Sequence, residues 1–125
     1  MNTKSEEDYL KCLYHLQQGK KNVSTNEIAN YLSMKPSSVS DMLKKLAEKK
    51  CVNYLKYKGS SLTKKGELIA LSVIRKHRLW ETFLVSKLGF SWSKVHNIAE
   101  QLEHVNSEEL IDKLDHFLAY PQIDP

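Results

Sequence analysis

The sequence has few of the residues that interrupt or cross-link a chain. It holds four glycines, three prolines and two cysteines among 125 residues, which argues against a disordered, collagen-like or disulfide-rich protein. No apolar run approaches the roughly 20 residues of a membrane-spanning helix, and the start, MNTKSEEDY, lacks the apolar core of a signal peptide. We therefore expect a globular cytoplasmic protein with no membrane partner and with reduced cysteines.

Arginine is missing from residues 1–66, but lysine is abundant there. These residues contain 13 lysines and six acidic residues, a net charge of +7, whereas residues 67–125 carry −3. A basic half suits a polyanionic partner, and an acidic half can hold cations. Two solvated surfaces that differ by chance would give the same imbalance, so charge alone leaves both interpretations open.

Apolar residues recur at helical spacing along most of the chain. Between residues 52 and 63 the spacing changes to that of a small hairpin with its turn at Lys58-Gly59-Ser60. The long fourth helix is apolar around most of its circumference, which predicts burial in the centre of the fold or in a subunit interface. Ser24-Thr25-Asn26-Glu27 has the pattern of a capping box, which predicts a short helix with Ile28, Ala29 and Leu32 facing inward. Five other helices are expected: from Lys4 to Gln18, from Pro36 to around Lys49, from Lys64 to Leu88, from Trp92 to Val105 and from Glu108 to Leu118.

Two short helices joined by three residues and followed by a hairpin have the pattern of a winged helix-turn-helix. The second helix of such a pair enters the major groove, and its hydroxyl-rich start permits close approach to phosphates and base edges. A helix cap beside a solvated lysine face would look the same, but the hairpin favours sequence-specific binding to double-stranded DNA. The candidate DNA contacts are Thr25, Lys35, Pro36, Ser37, Ser38, Ser40, Lys44, Lys56 and Lys58.

Histidines and glutamates cluster at helical spacing in the acidic half. Four of them fall within one arc of about 100° on the helix that begins at Trp92, and two more share a face of the preceding helix. Each residue alone is more simply a solvated side chain, but clustered carboxylates without a nearby lysine call for a cation. The candidate ligands of a divalent metal are His77, Glu81, His96, Glu100, Glu103 and His104.

These segments resemble the diphtheria-toxin-repressor family of metal-dependent transcription repressors, which includes the manganese transport regulators. The similarity lies in RKHRLWE (75–81), KVH (94–96), EQLEHV (100–105), EEDYL (6–10) and PSSVS (36–40). It implies a mainly α protein, with an N-terminal winged helix-turn-helix domain over residues 1–66 followed by a helical metal-binding and dimerisation domain over residues 67–125. It also implies a homodimer that binds operator DNA of metal-homeostasis genes when loaded with metal.

The resemblance further implies two metal sites, one joining the first helix to the second half and an ancillary one within the second half. In the iron-sensing branch, sulfur-bearing residues hold the positions of Asp8 and Glu100. Carboxylates at these positions favour Mn²⁺ over Fe²⁺. The principal ligands would be Asp8, Glu100, Glu103 and His104, with His77 in the manganese-sensing branch, and the ancillary ligands would be His77, Glu81 and His96.

The sequence departs from the family pattern at positions that affect the number of metals and the ancillary site. Lys11 stands where the manganese branch usually has an acid, which argues against a closely spaced pair of metals. Longer members complete the ancillary site with an SH3-like domain, for which Asp124 would be the nearest substitute here. Cys12 and His15 are interpreted as packing residues rather than ligands.

Two other functional classes are compatible with parts of the pattern. One is a winged-helix regulator that responds to a small molecule, in which the acidic helix is only a surface. The other is a di-metal carboxylate enzyme, but its Glu-x-x-His repeats and any nucleophile–base pair are missing from the sequence. We therefore expect no enzymatic activity.

Overall fold

The computed structural model describes residues 2–122 and is mainly helical, as predicted. It divides into two compact units, the first ending at Leu71 and the second beginning at Ser72. This division and the predicted boundary after residue 66 fall within the same helix, and the predicted domain limits stay a prediction. The elements are α1 (Lys4–Leu16), α2 (Thr25–Leu32), α3 (Pro36–Glu48), β1 (Val52–Leu55), β2 (Gly59–Leu62), α4 (Lys64–Ser86), α5 (Trp92–Leu102) and α6 (Glu108–Phe117).

The helix starts in the first unit follow from local side-chain chemistry. At the start of α2 the Ser24 hydroxyl accepts from the N–H of Glu27, and the Glu27 carboxylate accepts from the N–H of Ser24, which confirms the predicted capping box. Ser33 ends α2 in a left-handed conformation with a φ of 55°. Pro36 then opens α3, where its missing N–H forfeits no helical hydrogen bond.

An apolar core fixes α3 against the other helices of the first unit. Leu10 and Leu13 of α1, Ile28 of α2, and Leu43 and Leu46 of α3 are all fully buried in one cluster. Because these leucines point inward, the opposite face of α3 is turned to solvent. The core thus presents the predicted recognition helix outward.

The hairpin exists, but its turn lies two residues before the predicted position. The turn residues are 56–58, and Gly59 and Ser60 belong to β2, where Gly59 pairs with Leu55. Ser60 exchanges both backbone hydrogen bonds with Val23, at 2.8 and 2.9 Å. A Cβ at position 59 would lie 2.4 Å from the carbonyl oxygen of Val23. Glycine at this position therefore permits the close approach to Val23, and it also accommodates a φ of 100° directly after the turn.

The second unit comprises the later part of α4 with α5 and α6. Leu79 of α4 packs with Ile111 and Leu114 of α6 in one buried cluster. Arg75 of α4 also reaches α6, 2.9 Å from a carboxylate oxygen of Asp115. The second unit thus holds α6 against α4 by apolar and ionic contacts.

One expectation about the long helices is wrong in detail and another stays a prediction. Near the start of α4, Leu68 and Leu71 are 55% and 38% exposed, so they are not buried within the chain, and the predicted alternative of burial in a subunit interface is untested. Helix α5 ends at Leu102 rather than Val105, so Glu103 is its cap and His104 lies in the following turn.

Among the described residues, no helix combines the length and apolar character needed to cross a membrane. Asp124, the suggested substitute ligand, lies outside the described residues, as does Pro125.

Candidate metal centre and nucleic-acid interface

Three of the predicted ligands meet within the second unit. His77 and Glu81 lie one turn apart on α4, with Nε2 of His77 3.3 Å from Oε1 of Glu81. His96 of α5 completes the group, since its Nδ1 is 3.8 Å from Oε2 of Glu81 and its ring centroid lies 4.9 Å from that of His77. One ligand atom from each of the three residues fits within 4.8 Å of the others. We call these residues the His77 cluster.

Glu103 approaches this cluster from the end of α5. Its Oε1 lies 2.6 Å from Nδ1 of His77, and its Oε2 lies 3.8 Å from Nε2 of His104. Glu103 is fully buried, and the side chain of His104 is only 10% exposed. The Glu103 carboxylate therefore lies between two predicted ligands, His77 and His104.

Glu100 lies on the exposed part of the predicted arc, and its role as a metal ligand stays a prediction. The sequence puts it on one arc with Glu103, but the Glu100 side chain is 50% exposed whereas that of Glu103 is buried. Glu103 still continues the helical geometry, with a φ of −63° and its N–H donating to the carbonyl oxygen of Ala99 at 2.8 Å, so the two side chains share the arc but differ in burial. Glu100 contacts His96, whose Nε2 lies 2.6 Å from Oε1 of Glu100.

The donors of the His77 cluster, together with the neighbouring Glu103, have the chemistry of a first-row transition-metal site. Glu81 is 4% exposed and Glu103 is 0% exposed, and a buried carboxylate is stable only when it is paired or coordinates a cation. Imidazole nitrogens with carboxylate oxygens suit Mn²⁺, Fe²⁺, Co²⁺ and Zn²⁺. The donor set therefore fits the divalent metal that the resemblance implies.

Asp8 lies in the first unit, on α1, and is half-buried. Its neighbours on the same helix include Cys12, which is buried and free. Burial raises the pKa of the Cys12 thiol to about 12, so this thiol stays protonated at neutral pH and is a poor metal ligand. The assignment of Asp8 as a metal ligand stays a prediction.

Another buried carboxylate of α1, Glu6, is held by the end of the predicted recognition helix. Its Oε2 is 2.7 Å from Nζ of Lys49, and its Oε1 accepts from the N–H of Thr3. Burial raises the pKa of Glu6, but the hydrogen bonds from Lys49 and Thr3 more than offset it, so the pKa lies below its usual value. This ion pair fixes α1 to the end of α3.

The outer face of α3 carries most of the predicted DNA contacts. Lys35, Pro36, Ser37, Ser38 and Lys44 are all exposed. No described side chain caps the start of this helix, so its first-turn N–H groups are available to an acceptor such as a phosphate oxygen.

The remaining predicted contacts surround one groove in the first unit. A cavity of about 330 Å³ lies between the start of α2, the face of α3 and the turn of the hairpin. Thr25, Ser40, Lys56 and Lys58 all line it. None of the described residues that line the groove is acidic, so it suits an anion.

Several polar residues that line this groove, Asn26 and Tyr57 among them, were not identified as DNA contacts from the sequence. Asn26 follows Thr25 in α2, and Tyr57 stands between the two lysines of the turn. The signal for Tyr57 was present as an aromatic residue within the Lys-Tyr-Lys tip of a hairpin. Asn26 carries no comparable signal, because an asparagine within the capping box at the start of α2 does not by itself indicate DNA contact.

The first unit thus has the architecture of a winged helix-turn-helix, and the second brings together histidines and buried carboxylates of metal-ligand type. Together they define a class of DNA-binding regulators that carry a metal site on the same chain.

Sequence comparison agrees with both units. Residues 1–60 match the family model described as "Iron dependent repressor, N-terminal DNA binding domain". Residues 63–125 match the model described as "Iron dependent repressor, metal binding and dimerisation domain". The chain belongs to the iron-dependent repressor family, which confirms the resemblance inferred from its sequence.

Individual relatives extend over nearly all of the chain. An uncharacterised HTH-type transcriptional regulator of Methanocaldococcus jannaschii is 37% identical over 117 residues, which cover 93% of this chain and 94% of the relative. The solved structure of the manganese regulator SloR is 42% identical, with a TM-score of 0.82 over 96% of this chain. A manganese-dependent transcriptional repressor in complex with manganese is 40% identical, with a TM-score of 0.85 over the same share. The chain spans 56% and 55% of these two solved chains.

Proposed function

We propose that this protein is a metal-dependent transcriptional repressor, which binds double-stranded operator DNA as a homodimer when loaded with Mn²⁺ or Fe²⁺. The observation that carries the proposal is the His77 cluster, a transition-metal donor set with His77 and Glu81 buried and His96 exposed, on the same chain as a winged helix-turn-helix with an exposed basic face. Metal-homeostasis genes are the expected targets, since such a regulator would respond to the ion it binds. No catalysis is expected of the cluster.

Mn²⁺ is the favoured metal, with Fe²⁺ as the second candidate. Carboxylates from Asp8, Glu100 and Glu103 would make the predicted principal site rich in hard oxygen donors, which suit Mn²⁺ better than later metals. Two solved relatives at 40% to 42% identity are named for manganese. The family description names iron, and other divalent metals are expected to substitute in vitro.

The proposed link between metal and DNA uses ligands from both units. Asp8 on α1, with Glu100, Glu103 and His104 of the second unit, would hold one cation and so restrict the positions of two recognition helices in the dimer. Such helices must be separated by about 34 Å to read adjacent turns of the major groove. By reciprocity, DNA must raise metal affinity by the factor by which metal raises DNA affinity.

Exposed apolar residues support the homodimer. Leu68 and Leu71 are exposed on α4, and Leu88 and Trp92, near the start of α5, are 56% and 55% exposed. Burial of such residues in a subunit interface would be favourable. Sedimentation velocity with and without MnCl₂ measures this directly, and a monomer at every protein concentration would contradict it.

The decisive experiment is selection of DNA from a random duplex library by the full chain. It is carried out with MnCl₂ and, separately, with a chelator, and the recovered duplexes are then tested with Mn²⁺, Fe²⁺, Co²⁺ and Zn²⁺. We expect an enriched sequence with two related half-sites only when metal is present. Equal enrichment with the chelator would favour the small-molecule regulator, and no enrichment under either condition would refute the proposed function.

A further inference from the structure

Tyr57 at the tip of the hairpin has two properties that folding does not require. Its side chain is 94% exposed, so its ring contributes almost nothing to the core. Its φ is 70°, in the left-handed region that a bulky side chain rarely adopts. A residue that is both strained and unburied is better explained by contact with a partner than by stability.

The geometry of the turn shows how unusual this residue is. The N–H of Lys58 donates to the carbonyl oxygen of Leu55 at 2.9 Å, which closes a β-turn with Tyr57 at its third position. Turns with a positive φ at that position usually carry glycine or asparagine there. Asparagine at position 57 would relieve the strain and sacrifice no buried surface.

The surroundings of Tyr57 are those of an anion-binding surface. Nζ of Lys56 lies 5.3 Å from the centre of the Tyr57 ring, and Lys58 is the next residue in the chain. Tyr57 also lines the groove it shares with Asn26 of α2 and Ser40 of α3. Its ring is thus displayed beside the helix predicted to read the major groove.

We propose that Tyr57 contacts DNA directly and supplies the nonionic part of the affinity of the hairpin for DNA. Its ring packs against sugars and base edges beside the groove read by α3, while Lys56 and Lys58 neutralise phosphates. This inference rests on the proposed DNA-binding function and adds to it a residue with a separate physical role.

The two roles are separable by salt. Each phosphate contact contributes to the slope of log affinity against log salt, whereas a nonionic contact leaves that slope unchanged. We therefore compare Tyr57→Asn, Tyr57→Phe and Lys56→Ala in the full chain with MnCl₂. The probes are the duplex enriched by the selection and a duplex of arbitrary sequence, in salt from about 50 to 200 mM.

Tyr57→Asn is expected to weaken binding about fivefold to tenfold at every salt concentration, with an unchanged slope. Its thermal midpoint should equal or exceed that of the wild type, since asparagine tolerates the left-handed turn. Tyr57→Phe should retain most of the affinity, because the ring makes the contact. Lys56→Ala should instead reduce the slope by about one.

Wild-type affinity in Tyr57→Asn would overturn the inference and leave the proposed function standing. So would a loss of affinity that accompanies a lower thermal midpoint, or an equal loss in Tyr57→Phe. If the wild type binds neither duplex, the proposed function fails and the inference fails with it.

Discussion

The two units bury different chemistry. The first encloses a continuous apolar core, and its buried Glu6 is matched by Lys49 at 2.7 Å. The second has a smaller apolar cluster around Leu79 and buries Lys76 and the carboxylates of Glu81 and Glu103.

This difference separates parts of the chain that secure the fold from parts available for binding. Burial of apolar surface stabilises a fold without any further partner. Burial of charged groups costs free energy unless each is paired or ligated. We therefore expect the first unit to be sensitive to loss of packing and the second to metal concentration.

The largest expected effect is on the apolar core of the first unit. Leu43→Ala removes a fully buried side chain of α3 and should lower the free energy of unfolding by about 3 kcal/mol. Urea denaturation followed by circular dichroism measures this. A matched change at the exposed Leu55 of the hairpin, Leu55→Ala, should cost far less, and equal costs would contradict the assigned core.

The metal response of the second unit should depend on Glu103. At a hundredfold excess over its dissociation constant, a bound ion stabilises a protein by about 2.7 kcal/mol. Glu103→Gln keeps the shape but removes the charge that lies between His77 and His104, so it should lose most of this gain. Thermal unfolding with and without MnCl₂ provides the measurement.

Glu109→Gln is the matched control, since it makes the same charge change at an exposed position of α6. It should respond to Mn²⁺ as the wild type does. A full Mn²⁺ response in Glu103→Gln would exclude Glu103 from the metal site.

The ion pair between the buried Glu6 and the partly exposed Lys49 predicts an acid sensitivity of the first unit. Because the pKa of Glu6 is lower in the folded protein than its usual 4.5, the ionised carboxylate stabilises the fold above that value. The contribution is lost as pH falls through the folded pKa. Glu6→Gln should cost about 1 to 3 kcal/mol at neutral pH and should flatten the dependence of stability on pH in acid. An unchanged acid profile in this variant would contradict the role of the pair.

The smallest effect on stability is expected at the DNA-facing surface of the first unit. Lys44 is exposed on α3, so Lys44→Ala should change the free energy of unfolding by less than about 0.5 kcal/mol. It should nevertheless reduce the salt slope of DNA binding by about one, without altering the Mn²⁺-induced thermal shift. A change in metal response with no change in DNA binding would reverse the assignment of the two units.

The sequence predicted features that depend on local chemistry. The capping box at Ser24, the helix start at Pro36 and the existence of the hairpin follow from the properties of a few neighbouring residues. Collecting the six histidines and glutamates of the second half as candidate ligands needed only helical periodicity and the assumption that two helices pack. The separate group of His77, Glu81 and His96 was implied by the family resemblance.

Features that depend on distant contacts or on backbone conformation were missed. The predicted position of the hairpin turn was wrong because Gly59 lies in a strand, where it packs closely against the backbone of Val23, a residue 36 positions earlier. The end of α5 was wrong because apolar periodicity continues to Val105, although the helix stops at Leu102. Tyr57 was overlooked although it stands between two lysines, because its exposure and its left-handed backbone angle are visible only in the structure.

The backbone pair between Val23 and Ser60 has a kinetic consequence for DNA recognition. Val23 precedes α2, and Ser60 lies in the strand that follows the turn, so these two hydrogen bonds connect both margins of the groove before DNA arrives. A preassembled surface needs no slow ordering step during association. Encounter with DNA should therefore be limited by diffusion and orientation, and the amide protons of Val23 and Ser60 should exchange with solvent more slowly than those of the exposed turn.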